Sequence, residues 1–79
     1  MSVLQAEDLM RVAQRVLAIV GIIDYSELQL TYALKTNGKW KVSFAYDSYI
    51  RNAIQKIVSF AVDAKSGEIE GVWLDRSWK

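Results

Sequence analysis

Residues 28–46 read Leu28-Gln29-Leu30-Thr31-Tyr32-Ala33-Leu34-Lys35-Thr36-Asn37-Gly38-Lys39-Trp40-Lys41-Val42-Ser43-Phe44-Ala45-Tyr46. Leu28, Leu30, Tyr32 and Leu34 alternate with Gln29, Thr31, Ala33 and Lys35. Beyond Asn37-Gly38, Trp40, Val42, Phe44 and Tyr46 alternate with Lys41, Ser43 and Ala45. A period of two marks a strand with one face buried and one face out. The turn decides how the two strands meet. With Asn37-Gly38 as a two-residue loop, Thr36 pairs with Lys39 and Leu34 opposes Lys41, which sends the apolar rows to opposite sides of the sheet. A three-residue loop, Thr36-Asn37-Gly38, pairs Lys35 with Lys39, Leu34 with Trp40, Tyr32 with Val42 and Leu30 with Phe44, and gathers them on one face. The spacing therefore predicts the three-residue loop, with Gly38 left-handed in a bulge.

Upstream, residues 3–20 have the helical period. Ala6, Leu9, Met10, Ala13, Val16, Leu17 and Val20 recur at steps of three and four, with Arg11, Gln14 and Arg15 on the other side. Ser2 with Gln5 fits a capping box, Glu7 and Asp8 suit the positive end of the helix dipole, and Gly21 suits the left-handed residue after the helix. Downstream, Ile54 to Val62 and Glu68 to Leu74 read as a second hairpin around Ala64-Lys65-Ser66-Gly67. The expected pairs are Val62 with Ile69, Phe60 with Gly71 and Val58 with Trp73. Asp63 is placed to accept loop donors and Gly67 to take positive φ. Residues 47–53 join the hairpins, and 74–79 form a tail for Trp78 to pin.

The fold class that follows is α+β. One N-terminal helix packs on a four-stranded antiparallel sheet, an α-β-β-β-β meander in two layers, as a single domain over residues 1–79. One sheet face is left uncovered, and the expected pairing puts Thr31, Ala33, Lys35, Lys41, Ser43, Ala45, Ile57, Ser59, Ala61, Glu70, Val72 and Leu74 on it.

Composition narrows function. The 79 residues include no His, Cys or Pro, which removes the commonest general base, thiol catalysis, thiolate metal sites and disulfides. Asp63 with Glu68, and Glu68 with Glu70, are the close acid pairs of the second hairpin, and they read as loop and edge acids rather than as a catalytic or metal-holding set. The expectation is a protein that is not an enzyme and has no cofactor. The most apolar run, Val16 to Ile23, is far short of the ~20 residues of a membrane span. The acidic start has no basic leader, so a cytoplasmic location is expected, with a trimmed extracytoplasmic piece as the alternative. Net charge is +1, spread as −2 over residues 1–27, +4 over 28–62 and −1 over 63–79.

The helix, the hairpin and then Phe60-Ala61-Val62-Asp63-Ala64-Lys65-Ser66-Gly67-Glu68-Ile69 resemble the PepSY domain family, over most of the chain. Those domains combine an N-terminal helix with antiparallel strands and close on a turn of the type Val-Asp-Ala-x-Thr-Gly-Glu before a final strand. The resemblance implies a non-catalytic module that inhibits or regulates peptidases. The same outline is similar to cystatin-like folds, where fold says little about function.

Two binding surfaces are then expected. The leading one is for protein, either a peptidase or a second copy of the chain. It buries Ala33, Ala45, Ile57, Ala61, Val72 and Leu74 on the open face, with strand addition at an edge and with Tyr49, Ile50 and Trp78 contributing from loops and ends. The alternative is a nucleic-acid surface on the basic hairpin 35–41, using Lys35, Lys39, Lys41 and Lys56. The low net charge argues against the latter.

Overall fold

The computed structural model describes residues 4–48 and 55–78. A 3-10 turn, Ala6–Asp8, leads into helix α1, Leu9–Ile19. Four strands follow: β1 Tyr25–Thr36, β2 Lys39–Ser48, β3 Gln55–Asp63 and β4 Ile69–Leu74. They form one antiparallel sheet in the order β1-β2-β3-β4. This is the α+β meander expected, with the helix before the strands.

The helix is shorter than the 3–20 read from its period. Its first turn is 3-10, and the Asp8 carboxylate accepts the Gln5 N–H at 2.8 Å. Ser2, the expected cap, lies outside the described residues. The C-terminal end is as expected: Gly21 has φ 84°, its N–H reaches the Ala18 carbonyl, and the Ile22 N–H reaches the Leu17 carbonyl. These two bonds are a Schellman motif, which satisfies carbonyls the helix would otherwise leave bare. The buried stripe is Leu9, Val12, Ala13, Val16 and Leu17. It packs on Val42, Phe44, Tyr46, Val58, Phe60 and Val62, with the Phe44 and Phe60 rings 5.9 Å apart. Each such side chain contributes roughly 1.5–3 kcal/mol when fully buried.

The first hairpin corrects the expected register. Asn37-Gly38 is a two-residue loop, with φ 53° at Asn37 and 74° at Gly38, the backbone of a type I′ turn. Thr36 pairs with Lys39, Lys35 with Trp40, Leu34 with Lys41, Ala33 with Val42 and Tyr32 with Ser43. Leu34 and Trp40 therefore face opposite sides of the sheet. The mismatch ends at Thr31, an extra residue that restores Leu30 opposite Phe44. A second irregularity sets Glu27, at φ 51°, and Leu28 against Tyr46. The apolar row of β1 is thus split, with Leu28 and Leu30 packing on the core and Tyr32 and Leu34 going to the outer face.

The second hairpin has the expected loop. Asp63 accepts the Lys65 and Ser66 N–H groups at 2.8 and 2.9 Å, and Gly67 has φ 76°. Val62 pairs with Ile69 as expected, but an extra residue, Glu70, then shifts the strand. Phe60 pairs with Val72, Ala61 with Gly71, Ser59 with Trp73 and Val58 with Leu74. Val72 and Leu74 consequently stand on the helix side and Trp73 on the outer side, the reverse of the sequence reading. Ala33 and Lys35 likewise move to the helix side, because they pair with Val42 and Trp40.

Candidate functional site

The outer face of the sheet is built mainly from the centre outward. Lys41, Ser43 and Ala45 of β2 pair with Ala61, Ser59 and Ile57 of β3. Small side chains on neighbouring strands leave a shallow trough between larger flanking residues. Leu34 and Tyr32 border it on β1, and Trp73 borders it on β4. Gly71 makes room for the Trp73 indole: a Cβ there would come 2.6 Å from Trp73 Cη2. The expected pairing sets that glycine opposite Phe60, whereas it pairs with Ala61.

This face is not bare. Residues 75–78 fold back across it. Asp75 turns the chain with φ 58° and donates its N–H to the Ile57 carbonyl at 2.8 Å. The Ser59 hydroxyl donates to the Arg76 carbonyl, and Ser43 Oγ accepts the Trp78 N–H at 2.9 Å. Ser43 and Ser59 also bond to each other at 2.8 Å. Two buried hydroxyls thus hold one backbone acceptor and one backbone donor of the crossing segment. The Trp78 indole N–H donates to the Phe60 carbonyl at 3.1 Å. Its ring stands edge-on to Trp73 at 5.1 Å, with Lys41 Nζ 5.1 Å from the ring centroid. Such ring pairs and cation–ring contacts contribute about 0.5–1.5 kcal/mol each. Beneath the strap, Ser43, Ala45 and Ser59 are fully or nearly fully buried.

A cavity of about 280 Å³ remains between strap and strands, lined by Ser59, Trp73, Arg76, Ser77 and Trp78. It lies just under the size of small-molecule sites, roughly 300–1,000 Å³, and suits a side chain better than a cofactor. Beyond the strap, Leu34, Ile57 and Trp73 keep 46, 39 and 36% of their surface exposed.

Of the residues the sequence marked for protein binding, Ala45, Ile57, Ala61 and Trp78 are brought together on this face. Ala33, Val72 and Leu74 lie on the opposite side of the sheet, and Tyr49 and Ile50 lie outside the described residues. Sequence reasoning singled out neither Ser43 and Ser59 as a pair nor Trp73 as a wall. A serine at matched positions of two strands otherwise rich in Val, Phe and Ala was the available signal. Both edges are broken by extra residues, Thr31 and Glu27-Leu28 in β1 and Glu70 in β4, which makes them poor templates for an added strand.

The lysines do not form one stripe. Lys39 bonds Glu70 at 2.8 Å, and that carboxylate holds its ammonium above the ordinary lysine range. Lys41 covers Trp78, whereas Lys35 and Lys56 pair with Trp40 and Tyr46 on the helix side. Two of the acids are similarly occupied, Asp63 by loop N–H groups and Glu70 by Lys39, and Glu68 is exposed. Among the described residues no three of His, Cys, Asp and Glu gather as they would for a metal ion, and no helix is long and apolar enough to cross a membrane. No protein-family model, curated protein or solved structure matches the chain.

Proposed function

We propose that this protein is a non-catalytic interaction module that binds extended protein segments on the outer face of its sheet. The observation that carries the reading is the Ser43–Ser59 pair. It is buried, its hydrogen bonds go to the main chain of residues 76 and 78 rather than to any particular side chain, as they would to a segment displacing that tail, and it lies beside a recess of about 280 Å³ and exposed apolar walls at Ile57, Leu34 and Trp73. That is the chemistry of peptide recognition, with backbone groups fixing the segment and a large aromatic anchor filling a pocket. Catalysis is disfavoured because two of the three acids singled out by the sequence, Asp63 and Glu70, are committed to a loop and an ion pair. The PepSY-like order of elements supports the same reading, and on that analogy a peptidase is the class of partner to try first.

The test is to select peptides against the whole protein from a displayed random library and to map the binders by amide shifts. Binders are expected to move the amides of Lys41, Ser59 and Ala61 and to weaken at least about tenfold with Ile57→Glu, which buries a charge in the contact. Binders that map to the helix, or that ignore Ile57→Glu, would overturn the reading. Nucleic acid is separated in the same experiment, because its affinity would fall steeply with salt.

A further inference from the structure

Residues 75–78 lie on the proposed site as a bound peptide would, so the chain itself shows which chemistry the face holds. Resting on the reading above, we infer that this strap is a built-in competitor hinged at Asp75, and that the partner displacing it is an extended protein segment whose tryptophan takes the seat of Trp78.

The bonds define the partner. The Ser59 hydroxyl donates to the carbonyl of Arg76, and Ser43 Oγ accepts the N–H of Trp78. Those are main-chain groups two residues apart, which any extended segment presents. What the face selects is the side chain at the second of them. The Trp78 indole N–H donates to the Phe60 carbonyl at 3.1 Å, its ring stands edge-on to Trp73, and Lys41 Nζ lies 5.1 Å from the ring centroid. Tryptophan alone joins a ring of that size to an N–H donor. Arg76 and Ser77 are exposed, so the hold of the strap rests on its main chain and on Trp78.

The floor shows that the cover is removable. Ser43, Ala45 and Ser59 lie beneath the strap, whereas the large buried side chains of the same strands, Phe44, Val58 and Phe60 among them, pack with the helix. Lifting α1 would bare a hydrocarbon core. Lifting the strap bares two hydroxyls and a methyl group, and water replaces the hydrogen bonds that the main chain had made.

The hinge is a single residue. Asp75 is exposed and holds φ 58°, and one N–H bond to the Ile57 carbonyl closes the turn. That left-handed conformation is strained for most residues with a side chain. Rotation there frees the strap while β4 keeps its last pair, Val58 with Leu74. Strap and partner cannot share the serines, so the partner's apparent affinity is its intrinsic affinity multiplied by the fraction of open molecules. Loosening the strap therefore tightens the partner.

The test uses a capped peptide of the sequence 74–78, and a second with alanine in place of its tryptophan. Both are titrated, with amide shifts as the readout, into the full chain as wild type, Trp78→Ala and Asp75→Pro. Proline excludes φ 58° and lacks the N–H that binds Ile57, so it opens the strap while leaving its indole in place. The tryptophan peptide is expected to bind both variants at least about tenfold more tightly than the wild type and to move the amides of Lys41, Ser43 and Ser59. The alanine peptide is expected to bind the same variants at least about tenfold more weakly. A tryptophan peptide that binds all three proteins equally, or none of them, overturns the proposal. So does binding indifferent to the tryptophan, which would make the occupant some other segment. Either variant decides alone should the other fail to fold. Library-selected peptides that map to the outer face but bind wild type and Asp75→Pro equally would end this inference and leave the peptide-binding reading intact. Should the tail peptide bind the variants while a library selected against Asp75→Pro yields no outer-face binder, the strap stands as a purely internal contact and the wider reading falls.

Discussion

Gly71 and Trp73 show how one missing side chain shapes a surface. The indole lies over the glycine, so Gly71→Ala drives a methyl into the far edge of the ring. That ring is a third exposed and free to swing, so the change is expected to cost under about 1 kcal/mol, less than overpacking in a closed core. The near-UV circular dichroism of the Trp73–Trp78 pair is nevertheless expected to collapse. An unchanged spectrum would mean the two rings do not pack as described. Asp63 acts on a different property. Backbone N–H groups of Ser66 and Lys65 hold its carboxyl below the ordinary range, and the Gln5 N–H, followed by Arg11, does the same for Asp8. A carboxyl lowered in the folded state adds stability above its unfolded value of about 4 and loses it as the pH falls through the folded value. Urea midpoints are therefore expected to drop below about pH 4. Asp63→Asn is expected to flatten that drop in part, with Asp8 accounting for what persists. A variant as acid-sensitive as the wild type would contradict the assignment.

At the scale of elements, β1 carries the most information and was the hardest to read. Its alternation of Leu28, Leu30, Tyr32 and Leu34 is a true strand signal, yet the four side chains do not share a face. A turn of Asn-Gly favours the two-residue loop because both residues tolerate positive φ and the turn's twist matches the strands. That local preference prevails at the tip, and the cost is absorbed by a bulge at Thr31 rather than by a longer loop. Bulges have no residue signature comparable to a glycine in a turn, so alternation alone could not reveal Thr31 or Glu70. The same blind spot misplaced Ala33, Lys35, Val72, Leu74 and Trp73. Deleting Thr31 tests the account directly. Leu30 would then adjoin Tyr32 with no extra residue, so Leu30 keeps its place opposite Phe44 and Tyr32 its place opposite Ser43, and a loss of under about 1 kcal/mol is expected in thermal unfolding. A loss of about 2–4 kcal/mol, that of two half-buried leucines turned outward, would refute the bulge.

For the molecule as a whole, the sheet is covered unequally on its two sides. Helix α1 closes one side with a packed apolar core, while four tail residues cover the other through two serines and one indole. The two layers differ enough to be separated by mutation. Trp78→Ala is expected to lose about 1–3 kcal/mol, short of the 3–5 of a core aromatic, and to unfold cooperatively because the Phe44–Phe60 core is untouched. Loss of cooperative unfolding in urea would show that the tail is part of the core. The ends are tied to the same frame. Trp40 Nε1 donates to the Leu4 carbonyl, the Leu4 N–H to the Ala64 carbonyl, and the Ala64 N–H to the Gly38 carbonyl, so the chain start and both hairpin loops are joined. By itself the sequence determined the element order, the helix end at Gly21, both turn sites and the core rows of β2 and β3, because those follow from side-chain period and from backbone angles that only certain residues accept. Tertiary structure alone decided which half of β1 and β4 faces the helix, and that the reverse of the sheet is occupied. Strand register is a compromise between turn geometry and burial across several strands, and a tail finds its seat only once the surface it binds has formed.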